Sequence, residues 1–332
     1  RPSEVLNKHF VSAAKYVGKP ISIDLTLDMA AALLRMEDLP PAKIDLGKLA
    51  LEWMEEGRQE GELEVFLRDK LGDILGQVPL NREGRDVVLY GFGRIGRLVA
   101  RRIIATTGRG EQLRLKAIVV RPKMNDALSE ARKRAALLQD DSIHGEFHGT
   151  VQVSNEGRQL IVNGNPIQLI FAKAPGEIDY TEYGIHDALV IDNTGVWRDK
   201  ESLGVHLRPG VSQVMLTAPG KNMPNIVHGV NQHQLEEENA DVFCAASCTT
   251  NAIVPILKVI DDEYGIEKGH IETIHAYTSD QNLLDNFHKK PRRGRAAAIN
   301  MVLTSTGAAK AVAKGLPHLG GKLTGNAVRV PT

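Results

Sequence analysis

The sequence has few cysteines, few aromatic residues and no excess of either charge. Its 332 residues include two cysteines, Cys244 and Cys248, and only 5% are aromatic. Two cysteines cannot form the disulfide framework of a small secreted domain, so we expect a reducing compartment and a cytoplasmic location. Basic and acidic residues both number 41, which gives a formal net charge of zero. This balance gives no reason to expect a nucleic-acid or membrane partner.

Long apolar runs are also missing. No stretch approaches the roughly 20 residues that a membrane span requires. The hydrophobic fraction of 42% is that of an ordinary globular protein. A chain of 332 residues is long enough for two or three domains. We predict no metal site.

A polar cluster, Ser247-Cys248-Thr249-Thr250-Asn251, lies between a strand-like run and an apolar helical pattern. A thiol at that junction faces free backbone N–H groups and the positive end of the helix dipole, and both favour the thiolate. A lone cysteine is more often a buried structural residue. So polar a cluster is unusual in a core, and it favours Cys248 as a nucleophile.

A nucleophilic cysteine needs a base from elsewhere in the chain. The best candidate is His275, in the run 270–278, whose β-branched residues predict a strand. A lone histidine on a strand is more often structural than catalytic. Cys248 and His275 are therefore a candidate pair, whose adjacency only the fold can provide.

A glycine-rich turn, Gly91-x-Gly93-x-x-Gly96, directly follows the apolar strand 87–90 and opens a helical pattern. This is the context that a dinucleotide-binding turn requires, with phosphate at the helix N-terminus. A tight turn in any α/β protein is the simpler interpretation. Because apolar strands alternate with helical patterns after residue 85, we predict a doubly wound α/β sheet.

The second predicted strand, 113–120, ends without the acid that usually binds the ribose of NAD. Arg121 stands there instead, and the first acid is Asp126. Two interpretations remain open. Arg121 binds the 2′-phosphate of NADP, or it is solvated while Asp126 folds back onto the ribose.

Residues 1–84 have an all-helical pattern and carry no chemical motif. Leu6, Phe10, Ala13 and Val17 share one helical face, and Asp45 is placed to cap a helix that contains Trp53. We expect Pro40-Pro41 to end a helix that includes the run 27–35, a further helix along the apolar stripe from Leu63 to Leu75, and a linker at 79–84. A helical layer on the main body is the favoured interpretation. The alternative is an oligomerisation or regulatory surface. Beyond the extension, residues 132–141 also have a helical pattern.

From about Asp86 to Thr332 the sequence closely resembles glyceraldehyde-3-phosphate dehydrogenase. The motifs that carry the resemblance are Gly91-Phe92-Gly93-Arg94-Ile95-Gly96-Arg97, Ser247-Cys248-Thr249-Thr250-Asn251, His275-Ala276-Tyr277-Thr278, Arg292-Arg293-Gly294-Arg295, Ser305-Thr306-Gly307-Ala308 and Arg329-Val330-Pro331-Thr332. The segment before Asp86 is extra, as in the longer bacterial members. The sequence also stops where members of the family continue, so we expect a C-terminal truncation.

The resemblance implies an all-helical extension (1–84), a Rossmann NAD(P)-binding domain (85–247) and a partial α+β catalytic domain (248–332). It implies phosphorylating oxidation of glyceraldehyde 3-phosphate to 1,3-bisphosphoglycerate, with Cys248 as nucleophile and His275 as base. By motif match the anion-binding residues are Ser247, Thr249, Thr278, Arg293, Thr306, Gly307 and Arg329. NAD or NADP would be bound by Gly91, Gly93, Arg94, Ile95, Gly96, Arg121, Thr194, Gly195 and Thr217.

The resemblance also implies a homotetramer, because the loop 278–295 borders subunits in the family. Three alternatives remain. An erythrose-4-phosphate dehydrogenase would share the same cysteine and histidine chemistry. An aspartate-semialdehyde dehydrogenase is disfavoured by the paired phosphate sites. A non-catalytic binding or regulatory homologue is disfavoured because Cys248 and His275 are both present.

Overall fold

A computed structural model of the chain describes residues 22–40, 42, 44–57, 59–76, 84–106, 112–304 and 306–332. The predicted helical face from Leu6 to Val17, most of the predicted linker 79–84, and Ser305 lie outside these residues. The contacts divide the chain into two compact units: residues through 85 with 97–116 and 124–169, and residues 86–96 with 117–123 and 170–332. The predicted domain boundaries after residues 84 and 247 stay a prediction.

Helices and strands alternate over most of the described chain after residue 84. The α-helices are α1 (Ile23–Arg35), α2 (Leu46–Glu56), α3 (Leu63–Lys70), α4 (Arg94–Thr106), α5 (Ala127–Gln139), α6 (Lys200–Leu203), α7 (Gln234–Glu237), α8 (Cys248–Tyr264) and α9 (Ala308–Gly315). The strands are β1 (Arg85–Tyr90), β2 (Leu113–Val120), β3 (Asp140–Asp141), β4 (Gly145–Glu146), β5 (Val151–Val153), β6 (Gln159–Val162), β7 (Asn165–Phe171), β8 (Ala188–Asp192), β9 (Val211–Leu216), β10 (Val242–Cys244), β11 (Gly269–Ala276), β12 (Val302–Thr304) and β13 (Leu323–Val330).

The described part of the N-terminal segment is helical, as predicted, and has its own apolar core. The Asp45 carboxylate accepts a hydrogen bond from the Lys48 backbone N–H at 3.0 Å, which confirms the predicted cap of α2. The rings of Trp53 and Phe66 meet edge to face with their centroids 5.1 Å apart. Burying two aromatic rings stabilises a small helical cluster, since each removes a large apolar surface from water. The core of this cluster consists of Met29, Ala32, Leu33, Met36, Leu49, Ala50, Trp53, Phe66 and Leu67.

Three predicted helix boundaries are wrong. We expected Pro40-Pro41 to end the first helix, but α1 ends at Arg35 because Met36 is already extended, with ψ 98°. The apolar stripe of the third helix was predicted to reach Leu75, but α3 ends at Lys70. The helix expected from Arg132 begins at Ala127, because the Asp126 side chain accepts hydrogen bonds from two N–H groups of its first turn.

The large sheet has eight strands in the order β10-β9-β8-β1-β2-β7-β6-β5. β1, β8, β9 and β10 pair in parallel, and β5, β6 and β7 pair antiparallel. From β1 the chain continues to one side through β2 and later to the other side through β8. The carboxyl ends of β1 and β8 therefore form the switch point at which open α/β sheets bind ligands. This topology confirms the predicted α/β fold with a large parallel sheet.

A smaller sheet has the order β11-β13-β12, with β11 and β13 parallel and β12 antiparallel to β13. The parallel pairing puts His275 opposite Arg329. One apolar cluster joins α8, α9 and this sheet, and it includes Val254, Val312 and the half-buried Ile271. This cluster fixes the first turn of α8 relative to β11.

Phe66→Ala should destabilise the helical segment by about 3–5 kcal/mol, because the side chain is 0% exposed and its removal leaves a cavity. Amide hydrogen exchange in α1–α3 measures this loss. Val65 is next to it on the same helix and is 64% exposed, so Val65→Ala should change the free energy by less than about 0.5 kcal/mol. Equal effects of the two substitutions would contradict the packing described.

Candidate active site

Cys248 is the first residue of α8, and Ser247 is its N-cap. The Ser247 Oγ accepts a hydrogen bond from the Thr250 backbone N–H at 3.0 Å. Two residues before the cysteine, Ala246 has a φ of 55°, a left-handed conformation that costs a non-glycine residue about 1–2 kcal/mol. The chain thus turns sharply from β10 into α8 and presents an exposed thiol at the helix N-terminus.

The tertiary fold brings Cys248 and His275 together. The Cys248 Sγ lies 3.6 Å from the Nε2 of His275. The other ring nitrogen, Nδ1, lies 2.6 Å from the backbone carbonyl oxygen of Ala276. Since a carbonyl only accepts hydrogen bonds, Nδ1 carries a proton and Nε2 is left to exchange one with the sulfur. The ring is therefore oriented for acid–base chemistry at the thiol.

The second cysteine has a different environment. Cys244 is a free thiol that lies buried at the end of β10. Its Sγ accepts a hydrogen bond from the Gly220 backbone N–H at 3.2 Å, and burial raises the pKa of the thiol. A raised pKa lowers the thiolate fraction, so Cys244 fits a structural role, and the exposed Cys248 stays the predicted nucleophile.

Arg329 lies next to the histidine, because the register of β11 and β13 pairs it with His275. Its Nη1 donates a hydrogen bond to the Thr278 Oγ1 at 2.7 Å. Burial and then the charge of Arg293 lower the pKa of Arg329. An arginine remains charged despite such a shift, so two positive charges lie close enough to affect each other, and Arg329 is also close enough to Cys248 for their charges to interact. Such a cluster favours a bound anion.

Arg293 is itself paired with an acid. Its Nη1 contacts the Asp280 carboxylate, and its Nε donates to the Thr304 Oγ1 at 3.1 Å. Asp280 carries no motif signal of its own, and sequence reasoning missed it. Among the residues that the structure describes, these contacts use two of the five guanidinium N–H donors, which is compatible with an anion on the others.

Thr306 and Gly307 lie at the N-terminus of α9. The Thr306 Oγ1 accepts a hydrogen bond from the Ala308 backbone N–H at 3.1 Å, and Gly307 is the N-cap. Thr249 lies on the other helix start, with its Oγ1 4.0 Å from the Cys248 Sγ. The N-termini of α8 and α9 both offer backbone N–H groups and partial positive charge to anions.

The glycine-rich turn fits a dinucleotide. Gly91 has a φ of 92°, and a Cβ there would lie 2.8 Å from the Thr194 Cγ2. A Cβ on Gly96 would lie 2.3 Å from the Gly91 carbonyl oxygen, so only glycine allows this close packing of α4 on the turn. At Gly93 nothing lies within 4 Å, which leaves room for a pyrophosphate beside the backbone. Arg94 and Ile95 are exposed in the first turn of α4.

The remaining predicted cofactor residues lie at the ends of neighbouring strands. Thr194 and Gly195 follow β8, and Thr217 follows β9. The Thr217 Oγ1 donates to the Asp192 carbonyl oxygen at 3.1 Å, which ties the two strand ends together. Arg121 is exposed after β2, and its Nη2 donates to the Lys173 carbonyl oxygen at 3.3 Å.

Sequence reasoning missed a buried pair beneath these residues. The Asp192 Oδ2 lies 3.0 Å from the His206 Nε2, and both side chains are 0% exposed. The only sequence signal was an acid at the end of an otherwise apolar strand. Its partner follows 14 residues later in a segment without a motif.

Two protein-family models match the chain. Residues 85–200 match the glyceraldehyde 3-phosphate dehydrogenase NAD binding domain, and residues 247–332 match the C-terminal domain of the same family. A glyceraldehyde-3-phosphate dehydrogenase-like protein of Pseudomonas aeruginosa is 53% identical over 315 residues, which cover 94% of this chain and 67% of that protein. The chain belongs to the glyceraldehyde-3-phosphate dehydrogenase family.

Other relatives are more distant. Glyceraldehyde-3-phosphate dehydrogenase 2 of Bacillus subtilis is 42% identical over 246 residues, 74% of this chain and 68% of the relative. The chloroplastic glyceraldehyde-3-phosphate dehydrogenase B of pea is 44% identical over 248 residues, 74% of this chain and 52% of the relative. The chain thus spans between half and about two thirds of these relatives. The longer Pseudomonas alignment reaches into the segment before Arg85, since the rest of the chain is too short to hold it.

Family membership confirms the Rossmann fold and NAD(P) as cofactor, and it assigns the chain to the oxidoreductases of glycolysis. The predicted roles of individual site residues stay predictions. Within the residues that the structure describes, no helix is long and apolar enough to cross a membrane.

Gly96→Ala should lower the free energy of unfolding by about 1–3 kcal/mol, because its Cβ would meet the Gly91 carbonyl oxygen at 2.3 Å. Gly93→Ala is the matched control in the same turn. Because the added Cβ would meet open space, Gly93→Ala should change the free energy of unfolding by less than about 0.5 kcal/mol. It should weaken NAD binding instead. Thermal or denaturant unfolding and an NAD titration measure the two effects. A stable Gly96→Ala protein would disprove the close packing.

Proposed function

We propose that this chain carries the site for phosphorylating oxidation of glyceraldehyde 3-phosphate, through a thioester on Cys248. The observation that carries the proposal is the 3.6 Å approach of the Cys248 Sγ to the His275 Nε2 at the start of a helix. A thiol, a base and a helix N-terminus together suit attack on a carbonyl carbon. The names of the relatives supply the substrate, a triose phosphate aldehyde.

The first step is attack of the thiolate on the aldehyde carbon. The new C–S bond converts the carbonyl oxygen to an alkoxide, which takes the proton that the His275 Nε2 accepted from the Cys248 thiol and gives a thiohemiacetal. The His275 Nε2 and the backbone N–H groups that begin α8 would stabilise the developing negative charge. His275 then takes the hydroxyl proton back as the carbon loses hydride, which leaves a thioester on Cys248.

Bound NAD(P) would supply the hydride acceptor for this oxidation. The residues proposed to hold it are Gly91, Gly93, Arg94, Ile95, Gly96, Arg121, Thr194, Gly195 and Thr217. Gly93 supports this assignment best, because the backbone there is open where the pyrophosphate would approach. The chain's own contribution is to bind and orient the dinucleotide at the switch point of the sheet.

Inorganic phosphate completes the reaction. Its oxygen attacks the thioester carbon, the C–S bond breaks, and the products are an acyl phosphate and the regenerated Cys248 thiolate. Two anions must be bound near the thiol. For the substrate phosphate we propose Thr278, Arg293 and Arg329. For the attacking phosphate we propose Ser247, Thr249, Thr306 and Gly307, with Arg329 between the two sites.

Arg329 supports the two-anion scheme most directly. Its guanidinium donates to a hydroxyl, that of Thr278, while Arg293 beside it contacts a carboxylate. Asp280 compensates Arg293, but partly burying Arg329 beside a second arginine stays costly unless an anion compensates its charge as well. A phosphate between them would supply that charge, and the fork of donors on each arginine matches its oxygens.

His275→Asn should slow alkylation of Cys248 by iodoacetamide near neutral pH by about tenfold, because the thiolate loses the imidazole that stabilises it. Cys248→Ser should abolish both dehydrogenase activity and the labelling. Cys244→Ser is the control and should label like wild type, since Cys244 is buried. An unchanged alkylation rate in His275→Asn would remove His275 from the pair. Normal turnover of Cys248→Ser would overturn the proposed nucleophile.

Cofactor preference is the second point to test. Arg121 is exposed at the end of β2, where a phosphate on the ribose would approach. The nearest acid in sequence, Asp126, accepts hydrogen bonds from the Leu128 and Ser129 N–H groups at 3.4 and 2.9 Å. The hydrogen bond to Ser129 lowers the pKa of Asp126, so this carboxylate is committed to capping α5. We therefore propose that the chain uses NADP measurably while still accepting NAD.

Arg121→Asp should shift the ratio of kcat/KM for NADP and NAD toward NAD by about one to two decades. A charge-assisted hydrogen bond to a phosphate contributes roughly 1–3 kcal/mol, and an acid there repels it. Lys123→Asp makes the same charge change two residues later and should move the ratio less. A wild-type chain that rejects NADP, or a ratio that Arg121→Asp leaves unchanged, would show that Arg121 does not contact the 2′ position.

A further inference from the structure

Asp192 is a completely buried acid at the carboxyl end of β8, directly opposite Tyr90 of β1. Its Oδ1 accepts hydrogen bonds from the Thr194 backbone N–H and from the Thr194 Oγ1, both at 2.7 Å. Its Oδ2 lies 3.0 Å from the His206 Nε2. Both carboxylate oxygens are therefore occupied, and three donors compensate the buried charge.

The turn that Asp192 holds packs against the glycine-rich turn. A Cβ on Gly91 would lie 2.8 Å from the Thr194 Cγ2, so the threonine methyl group covers that glycine. The Thr194 Oγ1 also accepts a hydrogen bond from the Val196 N–H at 3.1 Å, which continues the turn past Gly195. The position of residues 194–196 beside the dinucleotide turn thus depends on one carboxylate.

His206 fixes that carboxylate from the opposite side. Its ring packs against the rings of Tyr90 and Trp197, with centroid distances of 4.6 and 5.4 Å. Its Nδ1 is buried and has no hydrogen-bond partner in the described residues. A histidine beside a carboxylate carries its proton on the nitrogen that faces the acid, so Nε2 donates to Asp192. Burial and the charge of Asp192 raise the pKa of Tyr90 to about 12.

We propose that His206 is a positioning residue for dinucleotide binding, acting through Asp192 and Thr194. It is 0% exposed, so it does not reach a bound cofactor itself. Its N–H holds the Asp192 carboxylate in the rotamer that accepts both Thr194 donors. This inference rests on NAD(P) binding at the turn after β1. Without the His206 donor the turn would populate other conformations, and the apparent Kd would rise as the inverse of the fraction of molecules that keep the competent one.

The test compares two substitutions that separate the donor from the ring. His206→Gln keeps an N–H near the position of Nε2 and loses the ring. His206→Phe keeps a ring between Tyr90 and Trp197 and loses the donor. We expect His206→Phe to raise the Kd for NAD about tenfold, measured by titration calorimetry on the full chain, and His206→Gln to stay within about twofold of wild type. If ring packing were the only role of His206, the order would reverse.

The rate of Cys248 alkylation is the control for the catalytic segment, and it should be unchanged in both variants. A wild-type chain that does not bind NAD would overturn the proposed cofactor site itself. If wild type binds and the folded His206→Phe variant binds equally well, the positioning role is wrong. If His206→Phe fails to fold, His206→Gln still decides, because a folded His206→Gln variant with a tenfold weaker Kd contradicts the proposal.

Discussion

The approach of Cys248 to His275 is the contact on which the proposed chemistry depends. The thiol begins α8 and the imidazole lies on β11, and no local element joins them. Their 3.6 Å separation is maintained by the apolar cluster that packs α8 and α9 on the small sheet. The register of β11 and β13 then places Arg329 beside the histidine. A slip of one residue would turn that guanidinium to the other face of the sheet.

The surroundings of the Cys248 thiol combine the partial charges of helix N-termini with the full charges of arginine side chains. The N-termini of α8 and α9 contribute partial positive charge at no cost in desolvated side chains. Arg293 and Arg329 add full charges, and their mutual repulsion together with burial makes the site costly in the absence of an anion. Asp280 reduces this cost by its contact with Arg293. Stability is thus given up around the thiol, as is common where anions are bound and released.

The nucleotide-binding half relies on close backbone packing instead. At the carboxyl ends of β1 and β8, the methyl group of Thr194 packs against Gly91, and Gly96 packs on the Gly91 carbonyl group. Asp192 is buried beside this turn, and the donors of Thr194 and His206 around it offset its desolvation. Precise placement of one turn therefore depends on a few short contacts rather than on a large apolar surface.

The sequence by itself determined the local features of this protein, because these arise from short-range physics. Neighbouring residues were enough to predict three such features: the glycine spacing after β1, the cap at Asp45 and the polar junction at Cys248. Motif order was enough to indicate the family and the parallel sheet. Only the tertiary structure decided which distant groups meet: Cys248 with His275, Arg293 with Asp280 and Asp192 with His206. Such pairings depend on strand register and on the packing of helices against sheets, which a linear sequence pattern does not encode. The end of α1 at Arg35 likewise depends on the backbone angles of the next residue, which the sequence pattern did not predict.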